Sequence, residues 1–158
     1  AQPSGATALE ALRIAEAIPL YGVDIAERDL PQETAQMRAL NFEKGCYIGQ
    51  EIVERIRSRG NVHRHLRQLE IDGPLPEPGA GLTFTNAAGA SAAAGAVTSA
   101  AELPLASGAR RFALAMIRGE AELRPRPLAY LAGEAAGTAR ILTAPPALDI
   151  EPNGSQEL

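Results

Sequence analysis

Apolar residues recur along this chain with two different periods, and the change falls near Val62. Before it the spacing is helical. Leu9, Leu12 and Ala15, with Ala8 and Ala11 as good helix formers, predict a helix running to about Ala17. Thr7-Ala8-Leu9-Glu10 has the spacing of a capping box, and Pro19 and Gly22 are the expected stop. Tyr21 to Asp29 reads as loop or short strand. Asp29-Leu30-Pro31-Gln32 is a second candidate helix start, with Leu30, Met37 and Leu40 along one face; Asn41 to Lys44 reads as extended. Ile48, Ile52, Val53 and Ile56 then form one apolar stripe, with Glu51, Glu54, Arg55 and Arg57 mostly opposite. Gly60-Asn61 is the expected end of that helix.

After Val62 the period drops to two. Leu69 and Ile71 alternate with Gln68 and Glu70, Leu82 and Phe84 with Thr83 and Thr85, and Phe112, Leu114 and Met116 fall on one side of Arg111 to Ile117. Val97 and Thr98 mark a strand within Ala93 to Ser99, and Gly137 to Leu142 carries Ile141. The alanine-rich stretch from Ala87 to Ala101 is broken by glycines, so it reads as a hairpin or loop with one strand rather than a helix. Turn-rich runs, Asp72-Gly73-Pro74 through Gly81 above all, separate the strands. Short strands between Gly/Pro turns predict a small barrel or sandwich. The fold class is therefore α+β: helices over residues 1–61, an antiparallel β-barrel over 62–144 and a flexible tail over 145–158, which opens with Pro145-Pro146.

Composition narrows the choice. Alanine inflates the hydrophobic fraction of 46%, and aromatics make up only 4% with no tryptophan, so the core is lean. No run of about 18 apolar residues is present to span a membrane. No basic and apolar leader opens the chain, and a single cysteine suits a reducing compartment, so the expected location is cytoplasmic. The opening Ala1-Gln2-Pro3-Ser4-Gly5 lacks methionine, and the expectation is a piece of a longer protein. Between Lys44 and Leu69 six cationic and two acidic residues give that stretch +4, leaving −8 on the remainder of a chain of net charge −4. A basic middle in an acidic protein fits a local anion site rather than general nucleic-acid affinity. It equally fits a solvated helix face with ion pairs such as Glu51 with Arg55.

Cys46 is the one cysteine and lies in Lys44-Gly45-Cys46-Tyr47-Ile48-Gly49-Gln50-Glu51. Placed near a helix N-terminus beside Lys44, its thiol would be favoured as a thiolate and act as nucleophile, transient ligand or redox group. Its alternative is a small buried apolar residue. His63 and His65 share a strand face but have no third metal ligand nearby, so a structural or surface role is expected. Glu51 and Glu54 are surrounded by arginines, no serine has a nucleophile-elbow context, and neither phosphate-binding glycine motif is present.

The run Lys44 to Glu51 resembles the signature of the YgfZ-type folate-binding proteins, relatives of the glycine cleavage T-protein, an aminomethyltransferase. Leu12-Arg13-Ile14, Ile18-Pro19, Tyr21-Gly22-Val23-Asp24 and Leu30-Pro31-Gln32-Glu33 agree with it upstream. Gly95 to Ser99 and Phe112-Ala113-Leu114-Ala115 resemble that superfamily's C-terminal barrel. The resemblance covers the chain to about Leu142. It implies the end of a central domain followed by a barrel, in proteins roughly twice this length whose N-terminal half supplies much of the folate cavity. It further implies tetrahydrofolate as cofactor, a role with iron–sulfur enzymes or assembly factors, including tRNA-modifying enzymes, and no direct nucleic-acid contact. Cys46 and Lys44 would be the catalytic pair, and Tyr21, Tyr47, Gln50, Glu51 and Arg55 would contact the cofactor. The alternatives are a T-protein-like aminomethyltransferase and a non-catalytic interaction module. One position departs from the family pattern Arg-hydrophobic-Glu-Ala-Gly, in which the T-protein's glutamate contacts the pterin. Here Arg13-Ile14 is followed by Ala15-Glu16-Ala17, with the acid one position late and about 100° around the helix.

Overall fold

Six antiparallel strands close into a barrel, with a helical layer packed on one side. The computed structural model describes residues 5–59 and 62–149, without side chains at 56–59. The strands are β1 (Arg64–Asp72), β2 (Gly81–Thr85), β3 (Ser91–Leu103), β4 (Arg110–Arg118), β5 (Leu128–Ala132) and β6 (Ala135–Ile141). Their order around the barrel is β1-β4-β3-β2-β5-β6. Alternation sorts each strand into two faces. On β4, Ala113, Ala115 and Ile117 point into the barrel with Leu69, Leu82, Val97, Leu128 and Tyr130. Phe112 and Leu114 point outward under the helical layer, into a second cluster with Ile14, Ala15 and Leu66. Small residues line the inside where strands crowd: a Cβ at Gly95 would stand 2.0 Å from the Met116 carbonyl oxygen.

The helical layer consists of α1 (Ala6–Ala15) and α2 (Gln50–Arg59), with a 3₁₀ turn at Met37–Ala39 between them; α3 (Gly119–Glu122) follows β4. The capping box does not form. Gly5 takes the N-cap position without a side-chain bond, and Glu10 turns instead to Arg13. The helix stops before Pro19 can act. Ala17 adopts a left-handed φ of 54°, its N–H donates to Ile14 O at 3.1 Å, and the Ile18 N–H donates to Arg13 O at 2.8 Å. These two bonds make a Schellman cap with alanine at the position glycine usually takes. Gln68, polar and outward on β1, is nonetheless buried because it donates to Ile14 O and Ala15 O at 2.8 and 2.6 Å, the last carbonyls of α1.

The second candidate helix, from Asp29, is a series of turns ending in the 3₁₀ segment. Its polar groups bond outward instead: Glu33 O accepts from the Leu66 N–H at 2.7 Å, and Gln32 Nε2 donates to Val53 O at 3.1 Å. Asn41 to Lys44 is bent, not extended, because Asn41 Oδ1 accepts from the N–H groups of Glu43 and Lys44. The expected stop at Gly60-Asn61 lies outside the described residues. After β6 the chain stays on the barrel: Leu142 N–H donates to Gln68 O, Arg110 reaches Ala147 O at 2.9 Å, and Ser107 N–H donates to Asp149.

Candidate functional site

Cys46 is exposed on an irregular stretch that leads into α2. Gly49, at φ 87°, makes the turn, and its carbonyl accepts from Ile52 N–H at 3.1 Å as the helix begins at Gln50. Cys46 therefore precedes the helix by four residues, outside the first turn in which the dipole acts. The expectation of a thiol on the helix N-terminus is corrected accordingly. Lys44 places its Nζ 4.3 Å from the centroid of the Tyr47 ring, a cation–π contact. The expected apolar stripe is also broken. Ile48 lies before the helix and is fully exposed, Ile52 is exposed and Val53 is buried, while the side chain of Ile56 lies outside the described residues.

Of the residues expected to contact a cofactor, Tyr47, Gln50 and Glu51 follow the thiol within five positions, and exposed Arg55 lies about one turn further along α2. Tyr21 is exposed on the loop after α1, and no described hydrogen bond or ring contact joins it to them. Ile18, Leu20 and Val23, close to Tyr21 in the chain, and Met37 are also exposed apolar side chains.

A carboxylate that the sequence reading did not single out holds this layer in place. Asp24 is buried and accepts four hydrogen bonds. Oδ2 receives Arg13 Nη1 at 2.7 Å and Leu20 N–H at 2.9 Å; Oδ1 receives Thr98 Oγ1 at 2.6 Å and Ser99 Oγ at 2.5 Å. Consecutive strand residues normally face opposite ways. Here the β3–β4 register shifts between Val97 and Ser99, and the bulge turns both hydroxyls to one oxygen. Arg13 also bonds Glu10, Ile18 O and Ser99. Burial alone would lower its guanidinium's affinity for the proton, but the bonds to Glu10 and Asp24 more than offset this and raise it.

Much of the basic middle segment is paired. Arg64 spans Asp29 and Glu33, both at 2.9 Å, and Arg67 reaches Glu122 at 2.9 Å. Burial pushes the Glu33 carboxyl up, yet its bonds from Arg64 and Leu30 N–H hold it below the ordinary range. His65 pairs through Nδ1 with Glu122 at 2.8 Å, and the described residues contain no cluster of three metal-ligating side chains. Concavities of about 780, 150 and 350 Å³ lie on the barrel and along its contact with the helical layer, lined by none of the seven candidate residues.

No protein-family model matches the chain. It is 42% identical over 53 residues to the mouse iron-sulfur cluster assembly factor IBA57, mitochondrial, covering 31% of this chain and 15% of that protein. It is 36% identical over 72 residues to the tRNA-modifying protein YgfZ of Cronobacter sakazakii, covering 44% of this chain and 22% of that one. Over these stretches the chain is similar to both proteins. Its match thus spans about a fifth or less of these relatives' length. The glycine cleavage aminomethyltransferase T of Bartonella henselae shares the fold, with a TM-score of 0.67 over 86% of this chain and 37% of that one, at 18% identity. The family pattern puts glycine where Ala17 takes its left-handed conformation. It puts glutamate where Ala15 is buried against the barrel, while Glu16 is exposed beside it. Among the described residues no helix is long and apolar enough to cross a membrane.

Proposed function

We propose that this chain provides the thiol-bearing segment and the barrel of a folate-linked accessory protein for iron–sulfur enzymes. The observation that carries this is the exposed Lys44–Glu51 run in a chain similar to an iron-sulfur cluster assembly factor and a tRNA-modifying protein. Residues 1–61 act as the end of a folate-type domain and residues 62–144 as the barrel it rests on; the Asp24 anchor supports their working as one unit.

Cys46 is the working nucleophile, and its exposure supports that role. Lys44, stacked on Tyr47, keeps a cation within two residues of the sulfur. Tetrahydrofolate would be met by Tyr21, Tyr47, Gln50, Glu51 and Arg55. Tyr47, Gln50, Glu51 and Arg55 follow one another on the segment that enters α2 and Tyr21 lies on the loop after α1, whereas a ligand of that size needs a largely enclosing pocket. The fit is therefore incomplete, and no chemical step is assigned to the folate. A further surface has to complete the pocket, and the exposed Ile18, Leu20 and Val23 are apolar side chains suited to receive one. The reducing compartment fits the cytoplasm; the mouse relative's name places that protein in mitochondria.

The test replaces Cys46 with serine in the full-length protein and assays an iron–sulfur methylthiotransferase in cells lacking the native copy. Loss of activity with unchanged protein abundance is expected. Full activity of the serine variant would refute the thiol's role and leave a scaffold.

A further inference from the structure

Two features of the β2–β5 seam stand apart from the Cys46 segment. The seam is the most sparsely paired in the barrel, joined only at Leu82 with Tyr130 and Thr83 with Ala129. At one end lies an open groove of about 780 Å³. Gly81, Thr83, Ala129, Ala136 and Thr138 line it with small outward residues, Leu131, 65% exposed, is its large apolar side chain, and exposed Asp72 adds a carboxylate that disfavours acidic groups at this end. At the other end a concavity of about 350 Å³ is lined by Thr85, Asn86, Arg124 and Arg126. Arg13, Arg64, Arg67, Arg110, Arg111 and Arg140 all pair with carboxylates. Arg124 and Arg126, both exposed, have no such partner among the described residues; Arg28, Arg38 and Arg118 also lack one, but only Arg124 and Arg126 share a concavity. Pro125 and Pro127 restrict the backbone on either side of Arg126.

The antiparallel register places Gly81 at the Leu131 end and Thr85 at the Arg126 end, so groove and arginines are about 13 Å apart along one strand direction. We propose that this seam is a docking track for an extended segment of a partner protein, apolar at one end and carrying two carboxylates at the other. Small outward residues let a second backbone approach closely. The guanidinium forks match carboxylates in geometry and charge. In a chain of net charge −4 two cations in one concavity give an acidic segment a local place to land. This inference stands independently of the thiol.

Fluorescence anisotropy tests it, using the full chain and a labelled peptide of about eight residues with two aspartates at one end and leucine and valine at the other. Saturable binding is expected. The Arg124→Glu/Arg126→Glu pair and Leu131→Asp should each weaken it about tenfold, and a peptide with lysines for aspartates should not bind. All these side chains are exposed, so unfolding midpoints should stay at the wild-type value; Arg126→Glu alone serves if the double variant folds poorly. Three results overturn the proposal: no saturable binding by the wild type; loss with the arginine variants but none with Leu131→Asp, which reduces the effect to charge attraction; or self-association without peptide that Leu131→Asp abolishes, which gives the surface to a second copy.

Discussion

Replacing Asp24 with alanine should detach the helical layer from the barrel. The carboxylate accepts from Arg13, Leu20, Thr98 and Ser99, and its side chain is fully buried. Each hydrogen bond to a charged group contributes about 1.5–3 kcal/mol, but the four share two oxygens and are not additive. Breaking a buried ion pair by removing one partner costs about 3–5 kcal/mol. Arg13 keeps Glu10, so the lower part of that range, about 3 kcal/mol, is the expected loss. Urea unfolding followed by circular dichroism measures it. Amide hydrogen exchange should show α1 opening first while β1 and β4 keep their protection. A double-mutant cycle with Arg13→Met should return a coupling of about 1–3 kcal/mol. A loss below about 0.5 kcal/mol, the scale of an ordinary surface change, would refute the assignment of Asp24 as the anchor.

Ala17→Gly should raise stability by about 0.5–1 kcal/mol in thermal or urea unfolding, because the left-handed residue that closes α1 carries a Cβ. Arg64→Met should move acid unfolding to higher pH. Glu33 titrates below its ordinary value of 4.5 in the folded state, so its stabilisation is present above that pH and is lost as pH falls through the depressed value; without Arg64 that loss begins earlier. An acid midpoint that does not move would count against the pair. Cys46 should react fully with a thiol reagent in the native state at close to its rate in denaturant, because the side chain is exposed. Protection that disappears only on unfolding would contradict the open site.

The barrel was legible because period-two alternation survives in strands facing a core on one side. Leu69 with Ile71 and Leu82 with Phe84 announce themselves, and the turns between carry glycine and proline. β5 was missed because Leu128-Ala129-Tyr130-Leu131-Ala132 alternates Leu and Tyr with alanine and then places Leu131 outward, which blurs the pattern. The helical layer was less legible, since its bonds are made far along the chain. Asp24 depends on hydroxyls 74 and 75 residues away, and the turns after Asp29 depend on Arg64. The stripe from Ile48 to Ile56 has helical spacing, but Gly49 in a left-handed conformation starts the helix too late to include its first member. The Lys44–Glu51 run was legible as a motif, whereas spacing alone placed the thiol one helical turn too close to α2.

The extra residue in β3 gives the protein an uncommon vulnerability. Deleting Thr98 would make the strand pairing more regular, yet it would remove one of the two hydroxyls that meet at Asp24 and turn the other away. A shorter, tidier sheet would then loosen its hold on α1 and the loop after it, so length variation in this lineage should collect at the Asn86–Ala90 hairpin and avoid the stretch from Val97 to Ser99.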